Sequence, residues 1–261
     1  MTKRLMRRAL VIALVLLGAA AGAAALGQDF LRGRERSVDI AENEPYRGDL
    51  RFVRIRYTVG FSGFTRRGSY GEPPWMHDYP TADTHLMKIV DELTFARPEV
   101  DTSNVHTFSD PELHNYPLAY VSEPGFWTMD DAEVAGLRSY LQKGGFVIFD
   151  DFRDTDWYNL EEQMRRAMPE NYWIQLDSTH PIFHSFFEID NLELLESYSG
   201  NPTYWGLFED NDQRKRLMAI ANRDSDHGEY WEFSDTGYLP VDLSNQAYKF
   251  GVNYFIYALT H

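Results

Sequence analysis

The chain has 261 residues, of which 43% are hydrophobic, carries a formal charge of −15 and contains no cysteine. That length accommodates one domain of about 200 residues with a leader, or at most two small domains. The charge repels nucleic acid and anionic lipid headgroups, and the missing thiol excludes disulfides and a cysteine nucleophile.

The first residues, MTKRLMRR, are basic, the next, ALVIALVLL, are apolar, and GAAAGAAALG is a run of small side chains. Ala25 and Gly27 satisfy the small-x-small rule for cleavage before Gln28, so residues 1–27 read as a secretory signal peptide. The rival reading is a retained anchor in the cytoplasmic membrane, because Ala9 to Leu26 is uncharged and reaches the minimum length of a span. The alanine and glycine content of that run favours cleavage. Removing residues 1–27 takes away four basic residues and no acidic one, which leaves a mature charge of −19. The product is expected outside the cytoplasm, periplasmic or extracellular.

Residues 28–50 are polar, highly charged and without apolar period, and read as a linker. The folded domain is expected to run from 51 to 261. Phe52 to Tyr57 alternates apolar and basic residues, as a strand near a sheet edge does. An aromatic- and glycine-rich loop, Thr58 to Pro80, leads to a helix over about Thr81 to Ala96, with Leu86, Ile89, Val90 and Leu93 on one stripe. Val105–Phe108 and Leu118–Val121 read as short strands. Thr128 is placed to cap a helix whose buried stripe is Val134, Leu137 and Leu141, and Gly144 supplies its left-handed stop.

Phe146 to Phe149 is then a continuous apolar strand, covered on both faces, that ends in Asp150-Asp151. A helix over about Trp157 to Met168 follows. Tyr172 to Leu176 and Leu217 to Ala221 read as strands, with an aromatic-rich loop between them. Ser244 is placed to cap a last helix that runs to about Leu259. Alternating strands and helices predict a single α/β domain, a three-layer sandwich around a mostly parallel sheet.

Four polar clusters fall where strands end or helices begin. The run from Trp75 to His85 holds His77, Asp78, Asp83 and His85, an imidazole and carboxylate set that suits a divalent ion such as zinc or manganese. Its spacing matches no ligand template; the alternative is that Asp83 caps the helix while the histidines sit on its rim. Asp150 and Asp151 lie at a strand end, one to orient the following loop and one to face the cleft. His180, held extended before Pro181, is the candidate general base or ligand, with Asp150 or Asp151 as its acid–base partner; the alternative is a histidine bonded to backbone under an aromatic loop. Asn222, Arg223 and Trp231, with Trp75, are candidate ligand contacts: the guanidinium for an anion, the indoles for a sugar face. There is no nucleophile elbow and no glycine-rich phosphate loop.

The segments RFVRIRY, W-x-x-D-x-P-x-A-D, YPLAYV, LRSYLQKGGFVIFDDF, HPIF and NQAYKFGVNYFIYALT together resemble the bacterial family of domain of unknown function 4159, over roughly residues 51–260. The resemblance implies a class I glutamine amidotransferase-like, flavodoxin-like fold. The GGFVIFDDF and HPIF pieces are also similar to trehalose-utilisation-type domains of that fold. It implies no established activity. Amidotransfer by that fold's route needs a cysteine, which this chain lacks. The expectation is therefore an exported, non-catalytic ligand-binding or scaffold domain, whose partner is a saccharide, a peptide or an envelope protein. The alternative is a hydrolase of saccharide or cell-envelope material, metal-assisted or using His180 with Asp150 or Asp151.

Overall fold

The short apolar runs of the sequence pair into a seven-stranded sheet in the computed structural model, which describes residues 40–60, 72–193, 195 and 201–261. The leader and the middle of the Thr58–Pro80 loop lie outside the described residues. Within the unit Ala41–His261 the strands of this sheet are β1 (Val53–Ile55), β3 (Asn104–His106), β4 (Leu118–Ser122), β6 (Phe146–Phe152), β7 (Trp173–Gln175), β8 (Thr203–Phe208) and β9 (Leu217–Arg223). Their spatial order is β3-β1-β4-β6-β9-β8-β7. The first five of that order are parallel; β8 and then β7 add on antiparallel. Two short strands, β2 (Thr58–Val59) and β5 (Trp127–Thr128), form a separate antiparallel pair.

The five parallel strands follow the 2-1-3-4-5 order of doubly wound flavodoxin-like sheets. The winding reverses between β1 and β4, and the crevice outside the carboxyl ends of such a pair is where these sheets take ligands.

On one face lie α1 (Thr81–Leu93), the short α4 (His227–Glu232) and α5 (Val241–Thr260), packed on one another. On the other lie α2 (Asp131–Gln142) and α3 (Asp156–Ala167). Strand alternation feeds both layers. Phe146 and Ile148 join Leu86, Val90, Phe250 and Tyr254 in one core, while Val147 and Phe149 turn the other way. Every residue of β6 is buried: the apolar run Phe146 to Phe149, as a strand covered on both faces requires, and with it Asp150 and Asp151.

Several boundaries differ from the sequence reading for local reasons. Asp130 rather than Thr128 caps α2: its carboxylate accepts from the Glu133 backbone N–H while Glu133 reaches back, a reciprocal capping box. Thr128 belongs instead to β5. Gly144 does supply the left-handed turn, at φ +107°. Helix α1 ends at Leu93, where the Thr94 hydroxyl takes the Val90 carbonyl. Helix α5 begins at Val241, after Pro240, so Ser244 is buried inside its first turn. Strand β8 falls in what reads as an aromatic loop; Gly206 interrupts its pattern because a Cβ there would collide with Leu217 and Phe208. The edge of β3 is covered: Asn43 and Glu44 exchange side-chain and backbone hydrogen bonds with Asn104 and Val105.

Candidate functional site

Strands β6 and β9 stay in register to Phe149 opposite Ala221 and resume at Phe152 opposite Arg223. Asp150 and Asp151 therefore face Asn222 together, a bulge in which Asp151 takes φ +54°. Simple alternation would send adjacent carboxylates to opposite faces. The extra residue lets both reach the side occupied by α1 and α4.

Asp150 is fully buried and saturated. It accepts from the Tyr120 hydroxyl at 2.8 Å, Asn222 Nδ2 at 2.9 Å, and the backbone N–H groups of His227 at 2.9 Å and Gly228 at 3.1 Å. His227 Nδ1 lies 2.8 Å from Oδ1, the oxygen that also accepts from Asn222, while the other three bonds go to Oδ2. Burial alone would raise this carboxyl, but His227, Asn222 and Tyr120 outweigh it and hold it below the ordinary carboxylate value. Asn222 is fixed in turn, its carbonyl accepting from Tyr254. Asp150 thus ties α4 to the sheet.

The turn before α1 is held by an arginine from β1. Arg54 and Asp83 are both fully buried and paired through two bonds, Nη2 to Oδ1 at 2.5 Å and Nε to Oδ2 at 3.2 Å. Arg54 Nη1 also donates to the carbonyls of Trp75 and His77, at 3.2 and 2.8 Å, and the guanidinium lies over the Tyr120 ring. One side chain thereby fixes the path of residues 75–83 and aims His77.

His77 Nδ1 lies 2.7 Å from Asp151 Oδ2, 3.7 Å from Asp78 Oδ2 and 4.0 Å from Glu123 Oε1. Glu123 follows β4 and, like Asp78 and Asp151, has a left-handed backbone, with φ values of +47°, +64° and +54°. Three non-glycine residues in that region around one imidazole are costly, and such strain concentrates at functional sites. Glu123 is held in place by the Tyr57 hydroxyl, which lies 2.9 and 2.8 Å from the carbonyls of Ser122 and Glu123. Asp78 is buried, and neither carboxylate oxygen has a hydrogen-bond partner among the described residues. Asp226 caps α4 with one oxygen, and its other oxygen is likewise unpartnered and buried.

The electrostatics follow from this crowding. Burial opposes charge on His77, but the bond to Asp151 and the charges of Asp78, Asp151 and Glu123 overcome it and raise the imidazole to about 10. Burial lifts the Asp78 and Asp226 carboxyls well above the ordinary range, with Asp151 adding repulsion at each. A cavity of about 580 Å³ opens beside these groups. His77, Asp78 and Glu123 form its inner wall, Met76, Tyr79, Phe233 and Tyr238 its apolar sides, and Glu72, Glu229 and Glu232 its acidic rim.

The structure gathers some of the residues singled out in the sequence and separates others. His77, Asp78 and Asp151 converge. Asp83 is taken up by Arg54. His85 turns away, its Nδ1 2.9 Å from the Trp231 carbonyl and its Nε2 3.8 Å from Asp235. His180 sits at the other end of the sheet, against Phe208 and Tyr257, with Nδ1 accepting from the Ile182 N–H. Trp75 and Trp231 are core residues, and Arg223 lies over the Trp157 ring. Glu123, Asp226, Arg54 and His227 carry roles the sequence reading did not assign. Glu123 had a visible signal, an acid directly after an apolar strand, as at Asp150.

A family model described as a domain of unknown function (DUF4159) matches residues 52–259. The chain belongs to that family. No curated protein matches the chain.

Proposed function

We propose that this DUF4159 domain is a non-catalytic binding domain that takes a small polyhydroxylated ligand, a saccharide, in the cavity at the β1/β4 switch point. The observation that carries this reading is the make-up of that cavity. Carboxylates on its inner wall and rim accept hydroxyl protons, while Tyr79, Phe233 and Tyr238 offer ring faces for sugar C–H groups. The acidic lining disfavours anionic ligands.

Binding is favoured over hydrolysis by what the carboxylates are engaged in. Asp150 is saturated by five hydrogen bonds from four residues, and His180 lies at the far end of β9 from Asp150 and Asp151. The family resemblance to amidotransferase-like folds is consistent with a pocket at this place, without the cysteine that amidotransfer requires. The basic, apolar and small-residue leader supports export, with the mature chain starting at Gln28. Among the described residues no helix is long and apolar enough to cross a membrane.

Isothermal titration of the purified domain with a panel of neutral mono- and disaccharides, and separately with lysine- and arginine-bearing peptides, tests the reading. Saccharide binding that is lost in Phe233→Ala and weakened in Glu232→Gln is the expected result. Binding of basic peptides alone, weakened by salt, would overturn it in favour of a cationic partner. N-terminal sequencing of the exported protein tests cleavage at Gln28.

A further inference from the structure

We infer that His77, Glu123 and Asp151 form a site for one divalent cation of the manganese or zinc class, on the inner wall of the cavity. This rests on the binding reading only for its purpose: the ion would give a polyhydroxylated ligand two hydroxyl positions at the bottom of the pocket.

The first observation is geometric. One nitrogen and two carboxylate oxygens, from the turn before α1, the end of β4 and the β6 bulge, lie within 4.8 Å of one another. Such ions hold nitrogen and oxygen ligands at about 2.0–2.2 Å, so ligand atoms around one ion stand about 3–4 Å apart. The observed 2.7 Å between His77 and Asp151 and 4.0 Å between His77 and Glu123 bracket that separation.

The second observation is independent of that triangle. Asp78 is buried at 5% exposure, lines the same cavity and approaches His77 Nδ1 to 3.7 Å, yet neither of its oxygens has a hydrogen-bond partner among the described residues. Asp226 Oδ2 is a second orphan of this kind, and its carboxylate interacts with those of Asp78 and Asp151. Buried carboxylate oxygens without donors are rare in folded proteins and call for a partner. A cation ligated by the triangle supplies charge beside Asp78, which approaches His77 Nδ1 to 3.7 Å, and its bound waters supply donors there. The imidazole suits zinc-like ions and the two carboxylates suit manganese-like ones, so the mixed set fits a divalent ion of that range.

The site differs from the run 75–85 taken as a unit. Asp83 is committed to Arg54 and His85 to the end of α4. The ligands come from three separate segments, with residue 77 the only one of the two histidines involved.

The test is a titration of the chelator-treated full domain with Mn²⁺, followed by loss of the free-ion paramagnetic resonance signal, with no saccharide present. One Mn²⁺ per chain, displaced by Zn²⁺, is the expected result. Asp151→Asn and Glu123→Gln are each expected to weaken it about tenfold or more, and His85→Gln to leave it unchanged. Thermal unfolding of each variant shows that it is folded. No stoichiometric ion at 100-fold excess, or binding indifferent to Asp151→Asn and Glu123→Gln, would overturn the inference. Saccharide titrations repeated with chelator keep the two readings apart: sugar binding that persists without an ion removes the ion's purpose but not the ion, and ion binding without sugar binding removes the saccharide.

Discussion

Arg54 and Asp83 meet in a two-bond ion pair with both side chains fully buried, joining the first strand of the sheet to the first turn of α1. Neither charge has water to fall back on. Arg54→Met is therefore expected to cost about 3–5 kcal/mol, because it strands a buried carboxylate, and Asp83→Leu the same for the guanidinium. The double variant should recover much of that loss. Guanidinium denaturation of the four proteins closes the cycle, and additive single effects would show that the pair acts on separate things.

The two neighbouring aspartates should respond unequally. Asp150→Asn turns an acceptor of five bonds into a group that presents an amide to the His227 and Gly228 N–H donors, and is expected to destabilise by about 2–3 kcal/mol or more. Asp151→Asn keeps a residue type that tolerates a left-handed backbone and an acceptor for His77, and relieves repulsion with Asp78 and Asp226, so it should cost clearly less than Asp150→Asn. Denaturation midpoints measured side by side give the comparison. Equal losses at both positions would contradict the division of roles.

Gly228 has a predicted role that comes from crowding. A Cβ on it would meet the Asp78 carboxylate and the Tyr120 hydroxyl. Gly228→Ala should cost about 1–3 kcal/mol and push Asp78 out of position, so that Mn²⁺ binding also falls. A calorimetric melt together with the resonance titration reads both effects. A fully stable variant with parental Mn²⁺ binding would show that Asp78 has room to move.

Acid stability should carry the mark of His180. Its ring is half-buried against Phe208 and Tyr257, its Nδ1 accepts a backbone N–H, and burial lowers it from 6.5 to about 4. The unfolded chain binds a proton at this residue below 6.5, whereas the folded chain does not until about 4. Its stabilising effect is therefore complete above pH 6.5, declines as pH falls from 6.5 to about 4, and is constant below that. His180→Asn keeps the capping acceptor and removes the titration. The difference in stability between parent and variant, measured at half-unit pH steps, should change across that window alone.

The architecture was legible because its signals are periodic. The helix stripe around Leu137 and Leu141 and the unbroken FVIF of β6 are read directly, and so is the alternation that makes the sheet parallel. Strand β8 escaped because Gly206 breaks its pattern for a packing reason that only Leu217, across the sheet, explains. The site was half legible. Asp151 and His77 stand out by type and place, but the bulge that brings Asp150 and Asp151 to one side leaves no trace in a two-residue period. Glu123 owes its position to a tyrosine 66 residues earlier in the chain. His77 and His85 are the same residue type in one short run. Which of them faces the cavity is decided by Arg54, a strand residue whose basic side chain reads in the sequence as an exposed edge position and which is fully buried.

The single inserted residue in β6 has a consequence for how such a domain can diversify. It separates the carboxylate that anchors the scaffold from the one that holds His77, although the two are adjacent in the chain. Substitution at 151 can therefore retune the pocket through His77, which lines it, while the interactions around 150 stay whole. Deleting one residue there would do the reverse: it would restore regular pairing and merge two duties into one position. A family built on this sheet can in this way keep a rigid frame and exchange its chemistry one side chain at a time.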